Sequence, residues 1–594
     1  MAELFDRTGD DRRAIQVDPL TAVAELAWLG LLLTSALLIV GLPLAVLGEF
    51  RAALVLPAAV VVALAARRAL APPKGWSASL PKGGTSRGAA LVMLAIVGLA
   101  AFGNMRWAGQ HHATNRDPGV YLESGLWLGE HGTLLIDGRT GPFLSESSLR
   151  GGGSGFNEIA DGSGRLVSQF PHGTAVVIAA GQQIGGIRLA TRTGGILIAL
   201  AGLLMWILAR RFVGDWWSTL GVAVFSLDIV TMHFARDTFS EPLAAVLIVG
   251  LLAVIVWSDS PSHWTFVGIL AGLSVAARID SILVVLGISL VVLVASWTRR
   301  KSAVSLVAGL SVGFTIAIVD LVHRSPNYLS DKWPVFRLAM IASMAMIAVA
   351  AILIAVRMLL NESALSGRWR AMTEMAARPG VATTVGTLVT ATILAVLAFR
   401  PHFQQLHGGL NEHIRGLQQR DGVAIDGTRT YGESSLRWIA WYFGWPLVIL
   451  GSVGAGLATR LVILRRSVVW SILGAVTAPV TILYLQSPRI SGDQIWAMRR
   501  FLPVAIPLLI ILAIHAAKIV ADSFSGRSRG LVAGAMVVAI VAPAAFATVP
   551  VANDQTLWWS TASIADLCDH LPDNSAVLVS SVVDFGDQLI RPLS

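Results

Sequence analysis

The chain has 594 residues, of which 55% are hydrophobic and only 14% are charged. A soluble chain carries about 25% charged residues, so a water-soluble globular fold is excluded. The net charge of +9 follows from basic loops between apolar runs and gives no support to a nucleic-acid partner. The single cysteine, Cys568, excludes an intrachain disulfide and a Cys-based metal site.

Residues 1–21 are polar, with Arg7, Arg12 and Arg13 ahead of the first apolar run, and no cleavable signal peptide is visible. Apolar runs near the length that spans a bilayer then recur at 22–48, 52–66, 88–103, 190–210, 216–232, 241–257, 263–277, 279–297, 303–322, 335–357, 381–399, 438–459, 467–486, 501–520 and 529–549. The expectation is an all-α polytopic membrane protein. Its loops alternate in character. One set carries bare basic clusters: Arg67-Arg68, Arg210-Arg211, Arg299-Arg300-Lys301, Arg465-Arg466, and Arg527 with Arg529. Short loops with surplus Lys and Arg lie in the cytoplasm. The N-terminus is therefore expected inside, and the C-terminus outside.

The opposite loops carry Asp, Glu, His, Pro and Arg together. The first, 104–173, contains a Gly-rich stretch at 151–155 and ends in Phe170-Pro171-His172-Gly173. The apolar run 174–185 after it is too short to span and reads as an interfacial or re-entrant helix. The second long loop, 400–437, holds an amphipathic piece from Leu410 to Gln419. Trp438, Trp441, Tyr442 and Trp445 follow it and suit a membrane interface. After 550 the pattern predicts a helix over 560–571, a turn at Pro572-Asp573-Asn574 and a strand over 576–583.

Four polar clusters on that side could carry chemistry. Asp117-Pro118 stands at the height of a lipid headgroup, where a carboxylate could accept the proton of a hydroxyl; the same pair is also a good helix start. Arg236, Asp237 and Glu241 join two spans, either as functional groups at membrane depth or as an ion pair sealing a helix corner. Arg278 and Asp280 lie between tightly joined spans; an arginine there fits a phosphate, or pairs helices. Arg489, Asp493, Arg499 and Arg500 oppose the positive-inside trend and call for an anionic partner such as a lipid phosphate. The histidines are scattered without ligand spacing, and no phosphate-binding Gly-rich motif of a nucleotide site occurs.

In their order these pieces resemble the GT-C membrane glycosyltransferases, above all the branch of the protein O-mannosyltransferases and the lipid A aminoarabinose transferase. Asp117 and Tyr121 match that branch's Asp-Glu-x-x-Tyr pattern. Phe170-Pro171-His172-Gly173 matches its Pro-Pro stretch, and Ala209-Arg210-Arg211-Phe212-Val213-Gly214 its Ala-Arg-Arg-x-x-Gly. Arg236 with Glu241-Pro242, and then Arg278, follow in register. The likeness covers 88–300 well and 430–510 loosely. The second acid of the first motif is Pro118 and the second proline is His172, and two spans precede the usual first one.

With the runs counted above, the expected fold is a GT-C-like bundle of about 13–15 transmembrane helices. The chain is expected to divide into N-terminal spans with a cytoplasmic loop (1–87), a GT-C-like membrane domain (88–550, outer loops 104–189 and 400–437) and an outer segment (551–594) whose pattern reads as small α/β. The resemblance makes 88–550 the catalytic domain. It implies inverting transfer of a sugar, mannose and arabinose among the candidates, from a polyprenyl-phosphate donor to an extracytoplasmic glycan, lipid or protein hydroxyl. The setting would be a bacterial plasma membrane and cell-wall synthesis. Asp117 would be the general base. Tyr121, Glu123, His172, Arg236, Asp237 and Glu241 would serve the acceptor or position the base. Arg278, Arg499 and Arg500 would hold the donor phosphate. No cofactor is assigned; the missing acid leaves a divalent metal open. A lipid or lipid-linked-glycan transporter and an inactive binding scaffold are the alternatives.

Overall fold

Polar and basic side chains sort to opposite ends of one helix bundle. The computed structural model describes residues 18–78, 86–114, 116–137, 155–159, 163–359, 378–465 and 467–571. The described residues begin with α1 (Pro19–Leu47), α2 (Ala52–Ala69) and α3 (Ser86–Arg106). The first polar-end loop then supplies α4 (Asp117–His131), a three-stranded antiparallel sheet and α5 (Gly173–Ala190). In the sheet, β3 (Arg165–Ser168) lies between β1 (Ile136–Asp137) and β2 (Phe156–Glu158), with Ile136 opposite Leu166 and Phe156 opposite Ser168. Next come α6 (Thr193–Val213), α7 (Asp215–Leu227), α8 (Ile229–Ala235), α9 (Glu241–Trp257), α10 (Pro261–Ala277), α11 (Ile282–Thr298), α12 (Arg300–Arg324) and α13 (Pro326–Leu359). The second half contributes α14 (Pro379–Phe403), α15 (Glu412–Arg420), α16 (Ser435–Phe443), α17 (Trp445–Ile463), α18 (Val468–Gln486), α19 (Ala505–Asp522), α20 (Gly526–Thr548) and α21 (Ser560–Asp569).

Among the described residues twelve helices are long and apolar enough to cross a membrane, or thirteen if α7 and α8 count as one bent span. The 17-residue helices α9 and α10 run between the same two ends. The 57° bend between α7 and α8 departs from the continuous run read at 216–232. Its cause is Asp228, whose side chain accepts from the backbone N–H groups of Val230 and Thr231 and so starts a new helix. The run at 174–185 lies in α5, which breaks at Gly185 and Gly186; only Gly186 there takes a positive φ, +63°. The strand expected at 576–583 lies outside the described residues; the three-stranded sheet lies in the first long loop.

One end of the bundle is built by basic side chains. Arg210 Nε meets Asp215 Oδ1 at 2.6 Å, while its other nitrogens donate to the carbonyls of Trp76 and Ala78. Arg211 bonds Val256 O and lies over Trp257. Arg67 forks onto Glu25, and Arg299 pairs with Asp259.

The α10–α12 crossing fixes the other end. Gly268 and Gly272 on α10 face Gly309 and Gly313 on α12. A Cβ on Gly309 would lie 1.8 Å from Thr265 O, and one on Gly268 would lie 2.2 Å from Leu306 O. Two small-xxx-small stripes thus let the backbones touch, as helices do in lipid. Arg278 at the end of α10 and Asp320 near the end of α12 are held at one height by this contact.

Candidate functional site

Asp117-Pro118 opens α4 with proline in its first turn. The turn before it packs without a gap, since a Cβ on Gly119 would lie 1.9 Å from Ala113 O. Thr238 Oγ1 donates to Pro118 O at 2.7 Å and ties α4 to the turn between α8 and α9. That turn ends in Glu241-Pro242, the first residues of α9, with Glu241 fully buried. Arg278 ends α10, Asp280 lies in a 3-10 turn before α11, and Arg499 and Arg500 end a 3-10 turn before α19.

These ends converge on a single ladder of alternating charge. Arg499 donates through Nη1 to Asp117 Oδ2 and through Nε to Glu241 Oε1 at 2.6 Å. The same Glu241 oxygen accepts from Arg278 Nη1. Arg278 then forks onto Asp280, at 3.0 Å from Nε and 2.8 Å from Nη2. Arg500 Nη1 closes the ladder on Asp280 Oδ2 at 3.0 Å, where the Tyr484 hydroxyl also donates. Three carboxylates and three guanidiniums balance. Burial alone would lower the Arg499 pKa; the Glu241 and Asp117 carboxylates outweigh it and hold the group above its ordinary value, firmly charged. The guanidinium is also packed on the Trp496 ring, 4.6 Å from its centroid.

Tyr121 sits one turn beyond Asp117, stacked on Phe170 with centroids 5.0 Å apart. Burial first, then the Asp117 carboxylate, push its phenol well above the ordinary value, so it stays neutral. Phe170 in turn meets the edge of Tyr328 on α13.

Beyond Arg500 a cavity of about 190 Å³ opens between α11, α13 and α18. Ile282, Leu283, Phe336 and Leu483 give it apolar walls, while Arg500, Arg489 and Lys332 bring positive charge and Asp280 and Asp331 negative. Arg500 Nε is buried without a hydrogen-bond partner.

The other expected site residues lie around this ladder, not in it. His172 is buried, with its backbone N–H and Nδ1 on Asp320 at 2.9 and 2.8 Å. Glu123 faces His112 Nδ1 at 2.7 Å. Asp237 bonds Thr238 N and lies 3.3 Å from His111 Nδ1. Arg236 departs furthest from expectation. It turns away from Asp117 and donates to the carbonyls of Ala552 and Asp554, clasping the segment before α21 against Trp107. Asp493 sits beside the site, shared by Arg116 and His413 at 3.1 Å each.

Tyr484 and Asp320 were missed from sequence. Tyr484 carries no local signal, whereas Asp320, an acid inside the apolar run 303–322, was readable as costly unless partnered. Among the described residues no three His, Cys, Asp or Glu side chains come together as metal ligands. Asp117 and Glu241 are bridged by a guanidinium where a cation would have to sit, so the donor set as arranged does not fit a metal.

No family model and no curated protein matches the chain. Solved structures do. The apo oligosaccharyltransferase of Archaeoglobus fulgidus aligns with a TM-score of 0.51 at 12% identity, over 81% of this chain and 58% of its own. Its complex with an inhibitory peptide and a dolichol-phosphate aligns at 0.46 and 11% identity, with the same coverage. ArnT from Cupriavidus metallidurans, in the apo state, aligns at 0.32 and 15% identity, over 86% and 85%. The chain thus spans a little over half the length of the oligosaccharyltransferase it matches. At these identities the likeness speaks for architecture. This chain shares the fold of that oligosaccharyltransferase over most of its length, and carries a small sheet in its first long loop.

Proposed function

We propose that this protein transfers a sugar from a polyprenyl-phosphate donor to an acceptor hydroxyl, with inversion at the anomeric carbon. The carrying observation is the charge ladder that runs from Asp117 to the cavity beside Arg500. Apolar walls suit a polyprenyl chain entering between helices, and Arg500, Arg489 and Lys332 suit its phosphate. Arg278 and Arg499 are each spanned by two carboxylates, so they would act on the phosphate through the field they set rather than by direct contact.

Asp117, a fifth exposed at the other end, would accept the proton of the attacking hydroxyl. The phosphate leaves as a stable anion, so no general acid is needed. Fixed guanidiniums in a largely buried site would stabilise the charge that develops on it. With the basic end of the bundle inside, the site faces outward, where no nucleotide donor is at hand and a lipid-activated sugar is the fitting source. The Arg499–Asp117 pair also supports the inactive-scaffold alternative, because it occupies the base; turnover separates the two.

The test is the Asp117→Asn variant assayed with a panel of radiolabelled polyprenyl-phosphate sugars. Transfer should fall by about a hundredfold or more, the scale of a lost general base, while the variant folds and keeps binding the donor. Retained transfer would remove Asp117 from the mechanism.

A further inference from the structure

We propose that Arg499 is a latch on Asp117, opened from a distance when an anionic phosphate engages Arg500. The inference rests on the reading that the cavity takes the donor phosphate and that Asp117 takes the acceptor proton.

The argument starts from overcommitted oxygens. A carboxylate oxygen offers about two lone-pair sites. Asp280 Oδ2 accepts from three donors: Arg278 Nη2, Arg500 Nη1 and the Tyr484 hydroxyl. Glu241 Oε1 accepts from two guanidiniums at once, those of Arg278 and Arg499. Donors that share one oxygen compete, so strengthening one bond weakens its neighbour. Arg500 is the member most easily drawn off. It borders the cavity, makes one bond to the ladder, and has a buried Nε with no partner.

The alternation of sign fixes the direction of the effect. A phosphate that draws Arg500 away relieves Asp280 of one donor, and Asp280 then holds Arg278 more tightly. Arg278 gives less to Glu241. Glu241 takes a larger share of Arg499, and Arg499 gives less to Asp117. The Asp117 oxygen that was tied to a guanidinium becomes free to accept a hydroxyl proton. In the absence of donor one Asp117 oxygen stays tied to the Arg499 guanidinium. Arg278, Glu241 and Asp280 are positioning residues in this scheme, since they act on Asp117 through Arg499. The movement needed is a repartition of existing bonds among buried groups, not a rearrangement of helices.

The experiment follows Asp117 itself. The full chain in lipid nanodiscs is labelled with a carbodiimide and glycinamide, and incorporation at Asp117 is read by peptide mass. Geranylgeranyl phosphate is the probe and geranylgeraniol its uncharged control, with binding of each measured in parallel. The phosphate should raise the Asp117 labelling rate about five- to tenfold, within the usual range of coupling between sites; the alcohol should leave it unchanged. Arg499→Gln should label fast with or without the probe. Asp280→Asn should bind the phosphate yet lose the response. Where that variant folds poorly, Arg278→Lys tests the same link, since a point ammonium cannot reproduce the bidentate fork onto Asp280 while it also reaches Glu241. Phosphate binding with unchanged Asp117 labelling would overturn the latch and leave the donor reading standing. A response that survives Asp280→Asn or Arg278→Lys would overturn the route. Absence of phosphate binding would overturn both the latch and the reading beneath it.

Discussion

The two ends of the bundle each bury an arginine, and they use it differently. Arg210, at the basic end, meets one carboxylate and two backbone carbonyls. Arg499, at the polar end, meets two carboxylates, Asp117 and Glu241, and Glu241 is itself shared with Arg278. A guanidinium anchored on main-chain carbonyls can change partners only if the backbone moves, so Arg210 locks the loop at 76–78 onto the bundle. A guanidinium held between side chains can redistribute its bonds while the backbone stays still. The lesson is that two arginines alike in burial and charge differ in the kind of acceptor that holds them, and the proposed function rests on that difference.

That contrast can be broken first at Glu241. Glu241→Gln removes the charge between Arg278 and Arg499 and should cut transfer by about a hundredfold, as loss of a preorganised electrostatic group does. Loss of the fold without a specific activity defect, seen by comparing turnover per folded molecule, would refute its role. Arg210→Met should do the opposite. It leaves Asp215 buried against Ser86 without its cation, at a cost of about 3–5 kcal/mol of stability. A thermal melt should drop while activity per folded molecule is retained; a selective loss of activity would erase the distinction between the two ends.

Two smaller effects sharpen the map of the polar end. Tyr121→Phe keeps the stack on Phe170 and removes only the phenolic hydroxyl, so at most a several-fold loss in rate is expected. Because its phenol is pushed upward, no alkaline limb from Tyr121 should appear in the pH–rate profile below pH 10 of wild type. Arg236→Gln should leave transfer nearly unchanged but expose the chain near 552–556 to proteolysis, since it clasps that segment. A large loss of transfer on Arg236→Gln would restore it to the acceptor side.

The spans and the grouping of polar clusters were legible because apolar length and basic loops are properties of the sequence alone. The break at Asp228 was not, since a capping carboxylate inside an apolar run looks the same whether it starts a new helix or pairs with a distant partner. The glycine stripes at 268–272 and 309–313 carried a readable small-xxx-small spacing, but nothing in either run says that they face each other. Asp117, Glu241, Arg278, Arg499 and Arg500 could be named from their place at span ends. Their order along the ladder could not, because it depends on which way each long side chain turns. Arg236 shows the cost of that ignorance: its neighbour in sequence caps the site's turn, and its own guanidinium points to the C-terminal segment.

The most direct measurement is turnover itself. Purified full-length protein in nanodiscs is incubated with radiolabelled polyprenyl-phosphate sugars and candidate acceptor glycans, lipids and peptides, and the products are analysed by mass and anomeric configuration. The account predicts that one donor is consumed, with release of polyprenyl phosphate and an inverted glycosidic bond in the product. Donor that binds beside Arg500 yet is never consumed, under conditions where the protein is folded, would contradict it.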